Sequence, residues 1–152
     1  MTQKPTNELN DLLEKVKPNQ IDVFLKENKK YLKDDKKAFY YYVKEVLDAK
    51  RIRLKDVYLK AGVSESFGSK ILRMEKHTAD RDLILRICLA GRFNWEETNR
   101  ALKLYGFCEL YSKDSRDACL IVAINNRIFD IYEIDNMLQA KGFKGLMDEV
   151  KL

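Results

Sequence analysis

From residue 38 onward, apolar side chains recur at intervals of three and four, the spacing of one face of an α-helix. Phe39, Tyr42, Val43, Val46 and Leu47 form such a stripe, predicting a helix from about Lys36 to Lys50. Tyr40 and Tyr41 fall to its sides, and Asp34 or Asp35 supplies its cap. Upstream, Leu9, Leu12, Leu13 and Val16 mark a helix that Thr6 or Asn7 caps and Pro18 stops. Asn19 is then placed to cap a short helix carrying Ile21, Phe24 and Leu25.

Residues 54–74 carry two short helical patterns broken at Gly62. The chain must turn there through a left-handed conformation, which a residue without Cβ takes at no steric cost. Val63 is expected to pack back into the core and Ser64 to cap the second helix. Phe67, Ile71 and Leu72 then lie on its buried side, with Ser66, Ser69, Lys70 and Arg73 toward solvent.

This segment resembles the helix-turn-helix of XRE (lambda-repressor/Cro) regulators, with Val57, Ala61, Gly62, Val63 and Ile71 at matching internal positions and Glu75 where that family often has Glu. Over roughly residues 38–146 the chain is also similar to a Firmicutes group of helix-turn-helix proteins, through SESFGSKI and DRDLILRICLAGRFNWEETNRALKLYGF. Two positions depart from the family. Tyr58 stands where it prefers Ala or Gly, so the Tyr must splay outward or widen the helix crossing. Glu65 opens the second helix, where an acid suits the helix dipole but repels phosphate.

The second half repeats itself. RDLILRICLAGRFNWEETNRALKLYGFCEL (residues 81–110) aligns with RDACLIVAINNRIFDIYEIDNMLQAKGFKGL (116–146). Arg81, Asp82, Leu85 and Arg92 match Arg116, Asp117, Leu120 and Arg127 at a spacing of 35. After a one-residue insertion, Glu97, Leu102, Gly106, Phe107 and Leu110 match Glu133, Leu138, Gly142, Phe143 and Leu146 at 36. Each unit reads as a helical hairpin whose second helix starts with a capping box, Asn94 with Glu97 and Asp130 with Glu133, and ends at a glycine. A hairpin cannot bury its apolar face alone, so the units should stack on each other and on the preceding helices. Trp95, Tyr105 and Tyr111 read as core and edge anchors.

These elements predict an all-α multi-helix bundle: a lysine-rich helical hairpin (1–37), a helix-turn-helix bundle that includes the first repeat (38–110), and a second repeat packed on it (111–152). Six Gly and two Pro among 152 residues leave few helix breakers. A hydrophobic fraction of 45% with 35% charged residues is that of a folded protein. The net charge of +5 is uneven: +2 over residues 1–37, +3 over 38–80 and zero over 81–152. If either half faces a polyanion, it is the first.

No stretch reaches the length of a membrane span and the N-terminus lacks a signal-peptide core, which predicts a cytoplasmic protein without membrane contact. Cys88, Cys108 and Cys119 form no CxxC pair and, with His77 as the lone histidine, make no metal site. Cys88 and Cys119 read as buried small hydrophobes. No phosphate loop, metalloprotease motif or nucleophile with its base occurs, so neither an enzyme nor a cofactor is expected.

The resemblance implies a sequence-specific regulator of double-stranded DNA, with repression, phage-related control or defence as its setting. Ser64, Glu65, Ser66, Ser69, Lys70 and Arg73 would lie at the groove, and Lys55, Lys60, Lys76 and His77 near phosphates. One short recognition helix binds weakly, which calls for a homodimer on a two-fold site. The alternative is an adaptor that keeps the helical geometry without DNA and takes a protein partner through the C-terminal repeats.

Overall fold

The computed structural model describes residues 6–28 and 37–147, and every regular element among them is helical. The helices are α1 (Thr6–Lys15), α2 (Ile21–Glu27), α3 (Ala38–Lys50), α4 (Leu54–Ala61), α5 (Glu65–Leu72), α6 (Arg81–Ala90), α7 (Trp95–Tyr105), α8 (Ser115–Asn125) and α9 (Ile131–Ala140). None is long and apolar enough to cross a membrane.

The apolar stripes become one core. α4 packs on α6 and α3 on α7, and α6 and α7 pack on each other. The stripe of α3 is buried as its spacing predicted, with Phe39, Val43 and Leu47 at 1% exposure or less. A single cluster runs from Phe39 to Leu146, so the second repeat shares the core of the first. Each fully buried Leu, Ile or Phe contributes about 1.5–3 kcal/mol over its exposed state. Cys88 is fully buried, Cys119 only half so, and Cys108 is exposed.

The N-terminal segment joins this core less. Phe24 and Asn28 are buried, the Asn28 amide donating to the Phe24 carbonyl at 2.9 Å. Leu13, Ile21, Val23 and Leu25 stay about half exposed, and none of these residues belongs to the main cluster. The capping expected here changes. Thr6 and Asn7 fall within the first turn of α1. Asn19 lies in a single 3-10 turn, Pro18–Gln20, where the Gln20 side chain accepts from Lys17 N–H at 3.0 Å. Asp34 and Asp35 lie outside the described residues; α3 starts from Lys37, which makes no side-chain cap.

In the repeats, the first capping box forms: Asn94 Oδ1 accepts from Glu97 N–H (2.8 Å) and Glu97 Oε1 from Asn94 N–H (2.9 Å). The second does not follow it. Asp130 Oδ1 accepts instead from Tyr132 N–H at 3.0 Å. Both terminal glycines take the left-handed conformation expected after a helix, Gly106 at φ 109° and Gly142 at φ 82°.

The units do not stack by translation. Arg81 donates to both Asp117 oxygens at 3.0 Å, and Arg116 returns the contact to both Asp82 oxygens at 2.9 Å. α6 meets α9 while α7 meets α8. Such reciprocal pairing requires a two-fold relation, as in an isologous dimer interface. The same Arg in each unit also reaches back to its own closing loop, Arg81 Nε to Cys108 O (3.1 Å) and Arg116 Nε to Lys144 O (3.0 Å). Burial alone lowers the Arg116 pKa, but the Asp82 bonds outweigh it and hold the guanidinium more firmly charged than usual.

Candidate nucleic-acid interface

α4 ends at Gly62 (φ 75°), and the chain re-enters a helix within three residues. Ser64 Oγ caps α5 by accepting from Phe67 N–H at 3.1 Å. Val63 packs against the core from a half-buried position, and Ile71 and Leu72 are fully buried. A Cβ on Gly62 would also meet Met147 Cε at 2.7 Å, so the second repeat closes on this turn as well.

Tyr58 neither splays outward nor stays exposed: it is only 6% accessible. The small residue needed at the crossing sits on the opposite helix. A Cβ on Gly68 would lie 2.6 Å from Tyr58 Cδ1, so a hydrogen there gives the ring its space. Burial pushes the Tyr58 hydroxyl above its ordinary pKa, partly offset by Arg73 and a hydrogen bond with Ser69. The large-for-small exchange between Tyr58 and Gly68 is visible in SESFGSKI only once the two helices are known to cross at these positions.

Ser66, Ser69 and Lys70 share one face of α5, as the spacing of three and four requires, and Arg73, the residue that closes the helix, extends the row. Ser66, Lys70 and Arg73 are exposed. Ser69 is half-buried and tied to Tyr58, so its expected outward position is only partly realised. The Arg73 guanidinium lies 5.7 Å from the Tyr40 ring centroid, and Lys76 Nζ is 5.7 Å from that of Phe67. Ser64 and Glu65 are exposed at the start of the same helix.

The remaining expected residues are spread apart. Lys55 is exposed on the first turn of α4, whereas Lys60 edges a cavity shared with Phe129 and Tyr132 of the second repeat. His77 is exposed and stacks on Tyr105 with ring centroids 4.8 Å apart, and Tyr105 stacks in turn on Phe107. The buried Tyr105 hydroxyl accepts from Thr78 N–H at 2.7 Å, fixing the loop after α5. Burial raises the Tyr105 pKa, and this bond opposes the shift. Trp95 and Tyr111, by contrast, remain exposed. Over residues 54–76, five basic side chains face three acidic ones. Among the described residues no cluster of His, Cys, Asp and Glu is placed to hold a metal ion.

Comparison with protein-family profiles, curated proteins and solved structures finds no match.

Proposed function

We propose that the chain is a DNA-binding regulator in which α4 and α5 act as a helix-turn-helix and α5 enters the major groove. The observation that carries this reading is the open row on α5. Ser66, Lys70 and Arg73 face solvent on one side, while Ile71 and Leu72 anchor the other in the core. A helix held this way presents its side chains without itself being displaced. Lys76 and Lys55 are exposed nearby in sequence and suit phosphate contacts. Three cations on and just after one short helix give a small footprint, so two copies on a two-fold site supply the affinity.

Fluorescence anisotropy with random duplex DNA at rising salt tests the reading. Affinity falls steeply with salt, Lys55→Ala combined with Lys76→Ala lowers the slope by about one per lost phosphate contact, and Lys70→Ala combined with Arg73→Ala weakens binding. Absence of binding at low salt by the folded protein sinks it. A second reading, a protein-interaction module, is favoured by Glu65, an exposed acid at the groove-facing end of α5. On that reading Glu65→Gln leaves DNA affinity at zero, whereas on the first it raises affinity.

A further inference from the structure

A cavity of about 390 Å³ opens beside the Gly62 turn, in the size range of sites for small organic ligands. Its walls are apolar: Leu59, Leu89, Phe129, Ile131, Tyr132 and Met147. It exists because the pseudo-two-fold relation is broken. Phe93 of the first unit is fully buried, with Tyr42 of α3 set edge-on to its ring at 6.4 Å. Phe129, its counterpart 36 residues on, is only half-buried and lines the open cavity. Leu59 and Tyr132, both lining residues, remain 79% and 75% exposed.

The charges at the cavity are mostly positive. Lys60 and Arg92 line it, and Arg127 reaches the same Phe129 ring. The Arg92 and Arg127 guanidiniums lie 5.1 Å and 5.7 Å from the Phe129 centroid. Neither has a carboxylate partner in an ion pair among the described residues. The lining acid, Asp130, is already committed to capping α9 through Tyr132 N–H. An apolar hollow edged by more cations than carboxylates selects an amphipathic anion, its tail on the apolar walls and its head on the guanidinium.

We infer that this cavity binds a small free amphipathic carboxylate, held by Arg92 at its head and by Leu59, Phe129 and Tyr132 along its tail. The site stands whether or not α5 reads DNA. Its lining includes Gly62 and Lys60, so an occupant touches the α4–α5 turn directly.

Isothermal titration calorimetry of the full chain with decanoate, below its micelle concentration, is the test. Saturable binding of one decanoate per chain is expected, with decan-1-ol binding about tenfold more weakly for want of the charge-assisted bond. Arg92→Asn suits the left-handed backbone at that position (φ 57°) and removes the cation, so it should weaken decanoate to the level of the alcohol without unfolding the protein. Leu59→Glu, on an exposed side chain, places an acid at the mouth and should abolish binding. Equal binding of acid and alcohol, or unchanged binding by either variant, overturns the inference. So does cosedimentation with phosphatidylglycerol vesicles in the absence of decanoate binding, which marks a lipid surface instead. A concentration-dependent dimer in sedimentation that excludes decanoate also overturns it, by making the cavity an interface between copies.

Discussion

Removing the Asp117 carboxylate should destabilise the protein at the junction of the two repeats. Asp117 is 6% exposed and accepts three bonds at 3.0 Å, two from the Arg81 guanidinium and one from Tyr111 N–H. Deleting one partner of a buried ion pair costs about 3–5 kcal/mol, because the other charge is left desolvated. Two features reduce that here. The Arg81 side chain is 25% exposed, and it keeps the Cys108 and Glu109 carbonyls as acceptors. The orphaned Tyr111 N–H adds about 1 kcal/mol, so Asp117→Ala should cost about 2–4 kcal/mol in all. Asp82→Ala should cost less, about 1–3 kcal/mol, since among the described residues Asp82 accepts from Arg116 alone. Urea unfolding followed by far-UV circular dichroism measures both. A cycle with Arg81→Ala should show a coupling of at least about 1 kcal/mol between Arg81 and Asp117. A loss under about 0.5 kcal/mol for Asp117→Ala, or no coupling, would falsify the reciprocal clamp as a source of stability.

Three further outcomes follow from the packing. Gly68→Ala should destabilise by about 1–3 kcal/mol through its clash with the Tyr58 ring, whereas in a Tyr58→Ala background the same change should stabilise through helix propensity; chemical denaturation of the four proteins decides this. Asp135→Ala should cost about 2–4 kcal/mol by orphaning the N–H groups of Leu146 and Met147, which its carboxylate accepts at 2.6 and 3.0 Å; equal stability to the parent in urea refutes it. Burial raises the Tyr42 and Cys88 pKa values in the folded chain above their ordinary 10.0 and 9.0, so the unfolded chain releases these protons first. Stability should therefore be complete below about pH 9 and fall by about 1.4 kcal/mol per pH unit for each group, above about pH 9 for Cys88 and above about pH 10 for Tyr42, and Cys88→Ala should flatten the slope by one proton in urea melts at stepped pH.

Local chemistry made much of this protein legible in its sequence. Apolar spacing located the helices from α3 onward, Gly62 and Ser64 marked the turn and the cap of α5, and the spacings of 35 and 36 exposed the two hairpins. Each depends on neighbours within a few residues, or on the chain compared with itself. The pairing between elements does not. Arg81 and Asp82 match Arg116 and Asp117 whether the units stack by translation or face each other, and only the assembled core fixes the crossed pairing of each Arg with the other unit's Asp. Tyr58 reads as a misfit until Gly68 is set beneath its ring. Phe93 and Phe129 occupy the same place in the repeat, yet Tyr42 covers one and a cavity opens at the other. Helix formation is set by short-range periodicity and capping, whereas burial and charge pairing depend on which surfaces meet, and distant parts of the chain decide that together.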